Sequence, residues 1–222
     1  MIGIVTGFKA EARCLRQERN RIICSGGDPA QARAGAERLV TMGVEALVSF
    51  GLAGGLDPAM VSGRLLLPEA VLLPDGRAIR THEGWRQRLA HLARAEDLDP
   101  LTAPLAGSDR LLATAPDKRA LFEATRALAV DMESHAVAEI AEARNLPYVV
   151  VRAIADTSEE AIPSAAQKGI GPGGEIRHLA VLKELLLHPG EARSVIRLGR
   201  ESGRALTALR RVAALAPDLA YV

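Results

Sequence analysis

The run Tyr148-Val149-Val150-Val151-Arg152-Ala153-Ile154 constrains this chain most. It is rich in β-branched and small apolar residues, follows Pro147 and ends near Asp156, so it reads as a buried strand. Such a strand needs cover on both faces, and helices supply it when they alternate with strands along the chain. The first 155 residues show that alternation. Ile2 to Thr6 reads as a buried strand stopping at Gly7, and Arg21 to Cys24 as a second, ending in Ser25-Gly26-Gly27-Asp28-Pro29. Asp28 is then an N-cap and Pro29 a first helical residue, because proline lacks only an N–H that would be unsatisfied anyway. Ala30, Ala34, Leu39 and Val40 give that helix its apolar side, and Gly43 stops it. Val44 to Phe50 is the next strand, followed by a glycine-rich turn at 51 to 55. Leu65 to Leu73 is rich in strand formers, with Pro68 marking a bulge or an edge.

Between residues 74 and 108 the pattern predicts a helix from Trp85 to Ala95 with loops around it. Ala127 to Val130 is a short strand running into Asp131-Met132-Glu133. Met132, Ala136, Ile140 and Ala143 then line one face of a helix that ends before Pro147. Past Asp156, the Pro- and Gly-rich stretch from Ile162 to Glu175 reads as a long loop, and Leu179 to Leu187 and Ala192 to Ala214 as helices. The expectation is one α/β domain over residues 1–222, in three layers, with a central mixed, mostly parallel sheet flanked by helices.

Composition narrows the function. With 48% hydrophobic and 25% charged residues the chain reads as an ordinary soluble globular protein. A net charge of +1 argues against a globally basic nucleic-acid binder, and 3% aromatics are too few for base-stacking platforms. Cys14 and Cys24 cannot make a disulfide framework and form no CxxC pair, which suits a reducing cytoplasm. The opening Met1-Ile2-Gly3-Ile4-Val5 lacks a basic leader pattern, and no apolar run approaches membrane-spanning length. His82, His91, His135, His178 and His188 lack metal-ligand spacing, so no metal is expected. With no GxSxG elbow and no nucleophilic cysteine context, covalent catalysis is not expected either.

In parallel sheets ligands bind beyond the carboxyl ends of the strands, where Gly7, Gly51 to Gly55, Asp131 to Glu133 and Asp156 all fall. The glycines do not follow GxGxxG. They supply either a tight turn with positive φ or a backbone that a ligand can approach closely. Asp131 and Glu133 could merely complement a helix dipole, Asp156 could be an N-cap, and Glu11 an exposed helical acid. Taken together, these four carboxylates at one rim are what acid–base work on a polar small molecule requires.

The residues Ile2-Gly3-Ile4-Val5 with Glu11, Gly51-Leu52-Ala53-Gly54-Gly55-Leu56, Ala129-Val130-Asp131-Met132-Glu133 and Leu146 to Asp156 resemble the nucleoside phosphorylase/nucleosidase superfamily. Over residues 1 to 157 the chain is similar to methylthioadenosine/adenosylhomocysteine nucleosidases. The Ser25-Gly26-Gly27-Asp28-Pro29 turn, the 51 to 58 segment, Asp131-Met132-Glu133-Ser134 and the arginine-rich C-terminus resemble, more narrowly, the hopanoid-associated phosphorylases. That resemblance implies cleavage of an N-ribosidic bond, releasing adenine from adenosylhopane in hopanoid synthesis. It implies that Asp156 protonates N7 of the purine, that Glu133 binds the ribose hydroxyls and that Met132 packs on the sugar. Glu11 would orient an attacking water. Backbone N–H groups of Gly51, Leu52, Ala53 and Gly54 would line the nucleophile pocket.

Asp131 stands where many nucleosidases carry Glu, Leu52 where relatives often carry Ser, and Leu111 where nucleosidases offer an aromatic to adenine. Phosphate is the alternative nucleophile, with Arg13 or Arg33 supplying charge; no other cofactor is implied. The resemblance further implies a homodimer or larger homo-oligomer, with the 74 to 110 region contributing.

Val195, Leu198, Ala205, Leu206, Leu209 and Val212 form an apolar stripe on the last helix, beside Arg193, Arg197, Arg200, Arg204, Arg210 and Arg211. Two readings stay open. The stripe packs on the domain's own sheet, or the helix lies in weak, salt-sensitive contact on an anionic inner-membrane surface.

Overall fold

The computed structural model describes residues 1–15, 21–171, 173–175 and 177–215. Strand β1 (Ile2–Thr6) leads through the short helix α1 (Lys9–Ala12) towards β2 (Arg21–Cys24). Helix α2 (Pro29–Thr41) opens at Asp28, whose carboxylate accepts from the backbone N–H of Ala30 (2.7 Å) and Gln31 (3.1 Å). Gly43, with φ of 81°, turns the chain out of that helix. Strand β3 (Ala46–Gly55) is followed by β4 (Leu65–Leu66) and β5 (Ala70–Leu72). The apolar 65–73 run is split at Pro68, whose carbonyl accepts from Thr81 Oγ1 (2.7 Å) instead of a ladder partner.

Next come β6 (Ala78–Arg80), α3 (Glu83–Arg94), β7 (Leu105–Gly107), α4 (Ala115–Thr125) and β8 (Ala129–Asp131). Helix α5 (Ser134–Ala143) and strand β9 (Tyr148–Asp156) complete the sheet-bearing part. Helices α6 (Ser164–Lys168), α7 (His178–Leu187) and α8 (Ala192–Leu215) follow.

The sheet runs β2-β1-β3-β8-β7-β5-β6, with β9 on β3 and β4 on β9. Five of the eight pairings are parallel; β3–β8, β4–β9 and β5–β6 are antiparallel. Every residue of β9 is buried, as a strand covered on both faces requires. Alternation along the strands sorts the core. Ile4, Val48, Val149 and Val151 face Trp85, Leu89, Leu209 and Val212 on one side. Val5, Leu47, Val150 and Ile154 face Ala32, Leu39, Val137 and Ile140 on the other.

The stretch at 51 to 55 is not a turn. Gly51, Leu52 and Ala53 continue β3 in register with Arg152, Ala153 and Ile154, and the first irregularity falls between Ala53 and Gly54. Ladder pairing with the long apolar β9 wins over the turn preference of glycine, and none of Gly51, Gly54 and Gly55 has positive φ.

Helix α4 and the strands β6 and β7 were not expected. The strands are three residues each, too short for a period to show. In α4 the one fully buried residue is Lys118, so no apolar stripe marks it. Helix α6 lies inside the predicted long loop, while Met132 precedes α5 and Ala143 is exposed at its end.

Of the two readings of the last helix, its C-terminal half fits the first. Ala205, Ala208, Leu209, Val212 and Ala213 are buried in the core beside β9 and α3, while Val195 and Leu198 are half-buried. Among the described residues, no helix is long and apolar enough to cross a membrane.

Candidate active site

The site opens at a gap in the sheet. β1 pairs with β3 as far as Ser49, and β8 joins the same edge only at Gly54. Residues 50–53 therefore have no strand partner on that edge, and a side chain fills the vacancy. Glu11 Oε1 accepts from Leu52 N–H (2.8 Å) and its Oε2 from Phe8 N–H (2.8 Å). Glu11 is 1% exposed, not the exposed helical acid that α1 alone would suggest. Burial raises its pKa, against the pull of Arg152 and of the backbone N–H groups of Leu52, Phe8 and Gly7.

Arg152, fully buried on β9, is the cation of this gap. Its Nε donates to Asp131 Oδ2 (2.5 Å), and its Nη2 to Ser49 Oγ (2.7 Å), Ser134 Oγ (3.2 Å) and Glu133 Oε2 (3.3 Å). Ser134 Oγ also donates to Asp131, whose Oδ1 accepts from Ser134 N–H (3.2 Å). Asp131 thus acts on Arg152 and the start of α5. Glu133 is pushed up to about 8, by burial first and then by the neighbouring charges of Asp131 and Glu11, with Arg152 opposing. Three carboxylates around one guanidinium leave the cluster short of positive charge, so one of them keeps a proton near neutral pH. Arg152 Nη1, buried and without a hydrogen-bond partner, lies on the Gly51 side beside the Glu11 carboxyl.

Asp156 ends β9 across from Gly54, with its carboxyl packed against that residue. Its Oδ2 accepts from Lys118 Nζ, which also donates to the carbonyls of Thr157 (2.7 Å) and Glu160 (2.8 Å). Burial raises the Asp156 pKa, and Lys118 lowers it.

A cavity of about 880 Å³ joins these parts, within the size range of small-molecule sites. Leu52, Ala53, Gly54, Asp131, Met132, Glu133 and Asp156 line it, and Leu111, half-exposed, borders it. Glu11 and Gly51 lie behind Leu52 rather than on the wall. Of the two arginines considered for phosphate, Arg33 is paired with Glu139 on the outer surface, and Arg13 is exposed; neither lines the cavity. Phe8, Ile162, Ile170 and Leu198 add apolar wall from four separate segments.

Two residues escaped the sequence reading. Arg152 was visible as the one charge inside an apolar strand, a signal that a buried counter-charge must exist. Lys118 carried no local signal, because its partner lies 38 residues away.

Residues 8–187 match the sequence model of the family described as the phosphorylase superfamily. Among solved structures, the chain is similar to the Neisseria meningitidis 5′-methylthioadenosine/S-adenosylhomocysteine nucleosidase in complex with methylthio-immucillin-A. The TM-score is 0.76 at 14% identity, over 98% of each chain. It is also similar to the corresponding Helicobacter pylori nucleosidase, with TM-score 0.71 at 15% identity over 96% of this chain and 97% of that one. The futalosine hydrolase of Helicobacter pylori gives TM-score 0.70, 15% identity and the same coverage. No curated protein matches in sequence.

Proposed function

The chain belongs to the phosphorylase superfamily, and from that membership we propose that it cleaves the N-ribosidic bond of an adenine nucleoside. The observation that carries the reading is the convergence of Asp156, Glu133, Met132 and the β3 backbone on one cavity, with Glu11 and Arg152 set behind it. Bond cleavage builds positive charge on the sugar and negative charge on the leaving base. Asp156, sheltered at one end, supplies a proton to N7 of the purine. Glu133 accepts hydrogen bonds from the ribose hydroxyls, and Met132 packs on the sugar.

Water is the nucleophile in this reading. Glu11 and Glu133 make the region beside Leu52 acidic, Leu52 offers no hydroxyl, and Arg152 already answers Asp131 and Glu133. A phosphate dianion there would meet carboxylates at short range, an unfavourable contact at low dielectric. Glu11 takes the proton of the attacking water.

The apolar wall from Phe8, Ile162, Ile170 and Leu198 supports a substrate with an apolar 5′ substituent. Together with the hopanoid-associated resemblance, it favours adenosylhopane within that class. Methylthioadenosine or S-adenosylhomocysteine is the second reading, favoured by the ligand-bound nucleosidase that shares the fold. Measuring adenine release from both kinds of substrate, with and without phosphate, tests all three points. Asp156→Asn with near-wild-type turnover would overturn the chemistry. Acceleration by phosphate would overturn the choice of water. Equal turnover of the soluble substrates would overturn the preference for a large apolar arm.

A further inference from the structure

Helix α4 buries one residue fully, and that residue is a lysine, 1% exposed. Apolar replacement of a buried ion pair is usually neutral or stabilising, so stability alone does not account for Lys118. All three ammonium donors are used, by Asp156 Oδ2 and by the carbonyls of Thr157 and Glu160. The geometry is that of a charged lysine on a carboxylate that borders the substrate cavity. Lys118 itself reaches the cavity wall. The other charged groups facing the pair are Glu160 on the loop after β9 and Glu201 on α8. Arg197 Nε, also on α8, holds Glu160 Oε1 at 2.9 Å.

We propose that Lys118 is the proton reservoir of the site, a positioning residue that keeps Asp156 supplied with the proton the departing purine takes. This rests on the reading of Asp156 as the acid at N7. The pair holds one transferable proton, as ammonium with carboxylate or as amine with carboxylic acid. When the C1′–N9 bond breaks, its electron pair goes to the purine, and N7 takes a proton from Asp156. That proton is the one Asp156 has drawn from Lys118, which becomes a neutral amine and regains a proton from water after the base leaves. A lone buried carboxylate has no proton to give, whereas here the Nζ–H already donated to Oδ2 is one.

The test is the pH profile of kcat for adenine release from methylthioadenosine, in wild type, Lys118→Arg and Lys118→Met, with folding checked by near-UV circular dichroism. Arginine keeps the charge but cannot surrender a proton, so Lys118→Arg loses about 100-fold or more at every pH. Lys118→Met leaves Asp156 to titrate alone. It stays within about tenfold of wild type at acid pH and falls about tenfold per pH unit above the Asp156 pKa. A lysine needed only for packing would lower kcat by one factor at all pH values. Wild-type kcat in Lys118→Arg, or a Lys118→Met profile parallel to wild type, overturns the proposal; if arginine does not fit, the methionine profile decides. Asp156→Asn separates the two failures. An active Asp156→Asn removes the underlying reading, while an inactive one beside an active Lys118→Arg removes only the reservoir.

Discussion

Gly51 and Arg152 stand opposite each other in the β3–β9 register, and a Cβ on Gly51 would lie 2.7 Å from Arg152 Nη1 and from the Glu11 carboxyl. No real Cβ comes that close, so a side chain at this position displaces the two charged groups from each other. Gly51→Ala is expected to lose at least about tenfold in turnover, with a stability loss of about 1–3 kcal/mol from overpacking. Steady-state kinetics and urea unfolding measure the two effects separately. Wild-type turnover would mean that the Glu11–Arg152 spacing is irrelevant to the chemistry.

Arg152 also holds the sheet rim together. Arg152→Met leaves Asp131, Glu133 and Glu11 as buried carboxylates without their cation. A loss of about 3–5 kcal/mol in urea unfolding at pH 7 is expected, the usual cost of stripping one partner from a buried ion pair. The loss shrinks as pH falls and Glu133 and Glu11, already held up by burial, take up protons and no longer need the cation.

In the proposed hydrolysis Glu11 has to be ionised to take a proton from water, and burial raises its pKa. Turnover should therefore rise with pH along a limb lying above the ordinary carboxylate range. The Glu11 charge is one of the causes that hold Glu133 up to about 8, so Glu11 gives up its proton while Glu133 still keeps its own. Glu133→Gln therefore removes no charge from this limb, so the normalised limb of kcat against pH stays in place even as KM rises. A limb that moves to lower pH would contradict this order of ionisation.

Glu201 on α8 is held up to about 7, by burial and then by its neighbour Glu160, and its Oε2 has no hydrogen-bond partner. Between its ordinary 4.5 and 7, the unfolded chain gives up this proton while the folded one keeps it. Folding then binds protons, and stability falls as pH rises through that window. Glu201→Gln lacks the penalty. Its Tm relative to wild type should climb by a few degrees from pH 4.5 to 7 and level off above. A difference in Tm that does not change with pH would rule this out.

Much of this was legible because the sheet writes its own period. The apolar run at 148–154, the Asp28–Pro29 helix start and the acids at 131, 133 and 156 all sit where local rules place them. The glycines at 51 to 55 misled because a turn preference is local, while pairing with β9 is made by residues about 100 positions away. Lys118 was hidden for a related reason. A buried lysine looks like any surface lysine until its carboxylate is folded onto it. Glu11, exposed by the logic of a four-residue helix, is buried because β1 and β8 leave a vacancy on β3 that its carboxylate fills.

That vacancy carries a consequence for how such a chain can change. The edge beside Leu52 is shaped by where two strands stop along a third, so it depends on the count of residues as well as on Gly51 and Glu11. One residue inserted between Phe50 and Ala53 would turn the Leu52 N–H away from Glu11 and exchange the two core faces beyond it, because strand side chains alternate. Length is therefore frozen within β3, and among its residues 50–53 Gly51 is frozen in identity as well. Insertions belong instead after Glu160, where added length would reshape the wall that Ile162 and Ile170 give the cavity.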